Sequence, residues 1–422
     1  MKRDLIIQMR NEWRDNIWLI LGLAVITAAV WTLTTEIYGS FKKEILPVGA
    51  DIEDVYKLTI ASQTPGSPDY IEMEGDPRES KGNDVKTLLE TIRKSPYVEA
   101  AGISNFGLPY QMKQPERTLY YVNESGDTLT YVGLARYMTP DMISVLRIKS
   151  RTGKSEDELK SILENGELLV SNVYSDWLTE REREFIEPLV NAEEINGQKV
   201  ILNDHQYRVG DMVENIRRTD YDVSGYLGTI IIPLLDSWTY FADEIAIRVK
   251  PESGEKFRRE FESSPAMQRH GNTYLLKLQK MEDVADLIQE DENISIRTTL
   301  SLVIMLTAIV VLGIMGVFWF RIQQRISEIA IRKVCGANSM DIFRRVISEA
   351  MILLLIATMV AGAVCWPLMV EFLVNESKAT TSDIFVTEIA VLVLLAVGIV
   401  LSLWLPARRA MRIEPAIAIK DE

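Results

Sequence analysis

Four stretches of this chain run for the depth of a bilayer without a charged residue: 16–35, 298–320, 350–370 and 389–407. About 20 apolar residues at 1.5 Å per residue cross a hydrocarbon core roughly 30 Å thick. One such run is compatible with a buried helix in a large soluble protein, but four in one chain predict a protein that crosses a membrane four times. Their distribution is uneven. One run lies near the start, three lie close together at the end, and 36–297 separates the first from the rest.

The cations between the runs orient the chain, because short cytoplasmic flanks carry excess Lys and Arg. Lys2, Arg3, Arg10 and Arg14 precede the first run, and Arg321, Arg325, Arg332, Lys333, Arg344 and Arg345 separate the second from the third. Arg408, Arg409, Arg412 and Lys420 follow the fourth, whereas 371–388 holds Lys378 against Glu371, Glu376, Asp383 and Glu388. Both termini and the 321–345 loop are therefore expected inside, with 36–297 and 371–388 outside. The first run exceeds a signal-peptide core and no Ala-x-Ala site lies near its end, so it is expected to remain as an anchor.

The expected divisions are an amphipathic cytoplasmic helix over 1–15, spans over 16–35, 298–320, 346–370 and 389–407, and an outer domain over 36–297. A coupling loop over 321–345, a short outer loop over 371–388 and a tail over 408–422 complete the chain. The outer segment carries 31 basic and 47 acidic residues, a net charge of −16. An acidic, solvated domain of this kind argues against nucleic acid as a partner.

Both cysteines, Cys335 and Cys365, lie outside that domain, which must hold together by core packing. No Cys/His cluster has zinc-ligand spacing, and His205 and His270 read as separate exposed structural residues. Strand patterns alternate with helical ones, predicting an α+β domain. Strands are expected at 54–61 and 244–250, hairpins at 118–132 and 199–210, and helices at 84–95, 254–263 and 280–292, with Asp84 as a cap. The last helix leads through 293–297 into the second span.

Gly153-Lys154-Ser155 has the ending of a phosphate loop, but Ile148 stands where that loop needs its first glycine, so a turn is expected. No nucleophile elbow or His-Glu-x-x-His helix occurs, and no catalytic or metal-binding residue is assigned. The informative element is 326–345. Ile329, Ile331, Val334 and Ala337 follow helical spacing, with Glu328, Arg332 and Lys333 along another edge. Gly336 offers a left-handed helix end and Asn338 or Ser339 the start of the next helix. A short amphipathic helix at a membrane surface can dock a protein or lie on anionic lipid.

Glu328-Ile-Ala-Ile-Arg-Lys-Val-Cys-Gly-Ala337 resembles the Glu-Ile-Gly-Ile-Arg-Lys-Ala-Leu-Gly-Ala signature of MacB/FtsX-type ABC transporter permeases, departing at Ala330 and at Val334-Cys335. The tail from Pro406 to Lys420 is similar to that family's closing Pro-Ala-x-x-Ala-x-x-x-x-Pro motif, and the order of one span, a large outer domain and three spans agrees. The resemblance implies an α-helical membrane protein with four transmembrane helices and a MacB-like α+β extracytoplasmic domain between the first and second. It implies a permease in a bacterial inner membrane that dimerises with a second copy or a homologous permease. ATP and Mg would be held by a separate ABC ATPase subunit, with no cofactor in this chain.

In that reading Glu328, Ile329, Ile331, Arg332, Lys333, Gly336 and Ala337 form the ATPase-coupling element, and Arg408, Arg409 and Arg412 meet lipid or the ATPase. Nucleotide-driven movement inside would be transmitted to the outer domain, for export or extraction of a substrate the sequence does not name. The alternative is a receptor or scaffold that regulates a periplasmic partner, such as a cell-wall hydrolase, without transport.

Overall fold

A computed structural model gives the fold and describes residues 13–72, 75–111, 113–172, 191–221, 227–376 and 381–411. These form two compact units, one of 1–42 with 293–422 and one of 43–292. The expected helix over 1–15, apart from its last three residues, lies outside the described residues, as do Arg412 and the rest of the tail.

Helix α1, Trp13–Glu44, leads into the inserted domain. That domain contains β1 Val55–Ser62, α2 Pro77–Arg93, β2 Val98–Asn105, β3 Glu116–Val122, β4 Thr128–Met138, α3 Met142–Leu146, α4 Glu156–Glu164, β5 Leu168–Ser171 and α5 Ala192–Ile195. It continues with β6 Lys199–Leu202, β7 His205–Val213, β8 Gly228–Pro233, a 3-10 turn Asp236–Phe241, β9 Glu244–Val249, α6 Gly254–Ser263, α7 Pro265–Gln268, β10 Arg269–His270 and β11 Thr273–Lys280.

The strands form one mixed sheet, ordered β10-β11-β1-β9-β2-β4-β3-β6-β7-β5-β8. A parallel pairing of β4 with β8, from Gly133↔Gly228 to Met138↔Pro233, brings the last strand back onto β4. The six strands from β4 to β8 thus close into a small barrel, which removes their open edges. Leu119, Tyr131, Leu168, Val170, Val200, Val209 and Ile230 pack its core. The remaining five strands are antiparallel. Val85, Leu88, Leu89 and Ile92 of α2 and Phe257 and Phe261 of α6 share one core with Leu58 and Ile245, while Met142, Ile143 and Leu163 from α3 and α4 share another with Val55 and Ala246.

Both hairpins form. In the second, Asn203 and Asp204 take positive φ of 48° and 65°, and strand pairing resumes at His205. The Gly153-Lys154-Ser155 turn is a helix start. Ser155 Oγ and the Glu158 carboxylate cap each other's backbone N–H in a capping box on α4. Helix α2 starts earlier than the apolar spacing indicates, at Pro77, with Asp76 accepting from the Arg78 N–H. Asp84 is not its cap: it lies buried in mid-helix and accepts from Asn272 N and Thr273 Oγ1 at 3.2 Å each.

Helix α8, Met281–Gln324, begins with Met281 and Ala285 inside the inserted domain's core and runs on as a single 44-residue helix. The 293–297 connection is itself helical, and that stretch holds neither Pro nor Gly. The membrane unit is completed by α9 Ile326–Val334, α10 Ser339–Glu376 and α11 Thr381–Met411. Four described helices are long and apolar enough to cross a membrane. Trp31, Ile314, Phe318, Leu353, Leu395 and Leu403 are central to their shared core. Polar ties join α1 to α11: Trp31 Nε1 donates to Ile384 O at 3.1 Å, Thr35 and Thr387 share a 2.7 Å bond, and Lys42 pairs with Asp383 at 2.9 Å.

Candidate functional site: the bend between α8 and α10

Helix α8 stops at Arg325, whose backbone (φ −107°, ψ 23°) leaves the helical region while its N–H is shared between Arg321 O and Ile322 O. Helix α9 starts at once and ends in a Schellman arrangement. Ala337 N–H donates to Arg332 O and Gly336 N–H to Lys333 O, both at 3.0 Å, with Gly336 at φ +95°. Asn338 then starts α10, and Asp341 reaches back to its N–H at 3.2 Å. The chain therefore turns twice between Gln324 and Ser339 and leaves helical geometry for only a few of those residues.

The bend is braced by an ion cluster. Glu349 of α10 accepts from Arg321 Nη1 at 2.9 Å and from Arg325 Nη1 at 3.0 Å, and its side chain is 8% exposed. Arg321 Nη2 also donates to Asn16 Oδ1 of α1 at 2.7 Å, and its guanidinium stacks on Phe318. A carboxylate that satisfies two arginines from one helix face fixes the end of α8 against α1 and α10. Beside this cluster a cleft of about 300 Å³ is lined by Glu328, Ile329, Arg332, Ile342 and Arg345, among others.

The candidate residues separate into two groups. Ile329 is only 7% exposed and packs with Ile322 and Ile342, and Ala330 is fully buried, so these face the unit's own interior. The expectation that Ile329 supplies apolar burial to a partner is corrected on that ground. Ile331 at 56%, Val334 at 65% and Met340 at 50% are exposed. Glu328 and Arg332 pair one turn apart on α9, and Lys333 Nζ donates to Met411 O at 2.6 Å, tying α9 to the end of α11. A Cβ at Gly336 would meet nothing within 4 Å, so its left-handed backbone, and not crowding, is what favours glycine there. Arg408 and Arg409 are exposed, with Arg409 stacked 4.5 Å from the Trp319 ring centroid.

Sequence reasoning missed the bracing. Glu349 reads as an interfacial residue at the end of a span, and Arg321 and Arg325 read only as positive flank. Their i, i+4 spacing on one helix face is the available signal. No group of three or more His, Cys, Asp or Glu able to hold a metal occurs among the described residues.

In the inserted domain the buried charges hold the fold. Arg136 donates to the carbonyls of Gly107, Leu108 and Ile216 at 2.8–3.1 Å, and burial lowers its pKa to about 9. Glu244, fully buried, accepts from Ser104 Oγ and Gln111 Nε2 and pairs with Lys57 at 2.9 Å. Burial, followed by the charge of Glu244, pushes the neighbouring Asp243 up to about 7.

Residues 300–415 match the family described as FtsX-like permease C-terminal. Over 187 residues, 43% of its length, the chain is 26% identical to the macrolide export ATP-binding/permease protein MacB of Chromobacterium violaceum, and it spans 28% of that relative. The periplasmic region of MacB from Actinobacillus actinomycetemcomitans aligns with 58% of this chain and 98% of its own, at 12% identity and a TM-score of 0.30. The extracellular domain of the noncanonic ABC-type transporter YknZ from Gram-positive bacteria aligns with 52% of this chain and 100% of its own, at 8% identity and a TM-score of 0.30. The fold of the inserted domain rests on its own strands and helices. The apolar part of α8, the bend, α10 and α11 all fall within the matched region, and it is this part of the chain that is similar to the FtsX-like permease family.

Proposed function

We propose that this chain is the membrane subunit of an ABC system, and that a separate ATPase subunit drives it through the exposed face of α9. Both termini and the bend lie on the cytoplasmic side in this reading, in accord with the cations that flank the spans. The observation that carries it is the division of α9 into a buried face and an open apolar one. Ile329 and Ala330 anchor the helix, while Ile331 and Val334 stand exposed beside the Glu328–Arg332 pair. A rigid, amphipathic knob of this kind suits a protein groove, where apolar anchors supply burial and a charged rim sets orientation.

Movement of the knob is passed to α8 through the Glu349 cluster and then along one unbroken helix to Met281 and Ala285 in the inserted domain's core. A helix interrupted by loop would absorb such movement; a continuous one carries it. ATP and Mg belong to the partner, a second permease copy or homologue completes the complex, and the exported or extracted substrate engages the inserted domain outside the membrane. Ile331→Asp combined with Val334→Asp, reconstituted with the co-purifying ATPase, should lower permease-stimulated ATP hydrolysis at least tenfold. Unchanged stimulation would remove the α9 face from the mechanism.

A further inference from the structure

The inserted domain contains a second cleft, of about 430 Å³, between the end of β2, the start of β3 and the 3-10 turn. Phe106, Tyr137, Leu234, Trp238 and Phe241 give it an apolar wall. Its volume falls in the range of small-ligand sites, roughly 300–1,000 Å³. Phe241 is 54% exposed at the rim, and Phe106 holds a left-handed backbone at φ +56°, a conformation costly for a bulky side chain and concentrated at binding sites.

Two polar atoms in the wall lack partners among the described residues. Among the described residues Arg117 makes one hydrogen bond, from Nη1 to the Glu116 carbonyl at 3.0 Å, and its buried Nε has no acceptor. The Nε–Nη2 edge, the side of a guanidinium that takes a carboxylate in two parallel bonds, is therefore unused. Asn105 donates through Nδ2 to Phe241 O, while its buried Oδ1 has no donor. An arginine edge left open in an apolar cleft is complementary to an incoming anion, and it acts at short range against the domain's overall charge of −16.

We infer that this cleft binds the C-terminal residue of a peptide with a large apolar side chain: its carboxylate on the Arg117 edge, its amide N–H toward Asn105 Oδ1, and its side chain against Trp238 and Phe241. Apolar volume, an unused bidentate donor edge and an unsatisfied acceptor together match that group, whereas a plain hydrocarbon would leave both polar atoms orphaned. The assignment is independent of the reading of α9.

The test uses the full chain in detergent and three probes followed by calorimetry or ligand-observed NMR. These are N-acetyl-Ala-Phe with a free carboxylate, the same dipeptide as its C-terminal amide, and the free acid with its last peptide nitrogen methylated. The free acid should bind at least tenfold more tightly than the amide and at least threefold more tightly than the N-methyl form. Arg117→Gln should make acid and amide equal, and Phe241→Asp should abolish binding of all three. Equal binding of acid and amide to the unaltered chain, or no binding by any probe, would overturn the inference, and either result needs no variant to fold.

Discussion

Asp243 sits where its charge is expensive. Burial and the adjacent Glu244 raise its pKa to about 7, against roughly 3.9 in an unfolded chain. The folded state therefore binds this proton more tightly than the unfolded state does between those two values. Stability falls as pH rises from about 4 to about 7 and the loss persists above it. Asp243→Asn keeps the shape without the charge, so thermal unfolding should occur several degrees higher at pH 8 and almost unchanged at pH 4; equal effects at both would contradict the assignment. At the bend the sign of the charge effect is reversed, because Glu349 compensates Arg321 and Arg325. Glu349→Ala strands two largely buried cations, and the expected loss is about 3–5 kcal/mol, measured by denaturation in detergent. A loss below about 1 kcal/mol would mean that the arginines find water. Neither residue is legible in the sequence. Sequence shows the charge but not the burial that decides its worth, and only the fold brings Glu349 to the same node as Asn16.

Elements are easier to read where one local signal dominates. Charge-free runs locate the four spans, and alternation with a short polar turn locates both hairpins. Reading fails where two signals compete. The apolar stripe of α2 starts at Val85, which hides the Asp76-Pro77 start signal two turns earlier. Closure of the barrel depends on β4 pairing with β8, some ninety residues apart, and nothing local encodes that. In α9 the spacing marks Ile329 and Ile331 as alike, yet two residues on a helix differ in direction by about 200°. One packs inward and the other is open. The helix end is set by Gly336 at φ +95°. Gly336→Ala should cost roughly 1–2 kcal/mol through the backbone alone, since the site has room for a methyl group. It should also weaken ATPase stimulation while leaving the inserted domain's unfolding unchanged. Full stimulation in that variant would show that the exit geometry of α9 is not used.

For the molecule as a whole, the chain divides into two compact units, and α8 is one continuous helix from Met281 to Gln324. The family match covers residues 300–415 of the membrane module, while the inserted domain carries the net negative charge and the apolar cleft. The most direct measurement places a photo-crosslinking amino acid at Ile331 or Val334 in living cells and identifies what is captured. The expected capture is a nucleotide-binding ABC subunit, lost when the probe is moved to buried Ala330. Capture of lipid alone from both exposed positions, with no such subunit recovered, would contradict it.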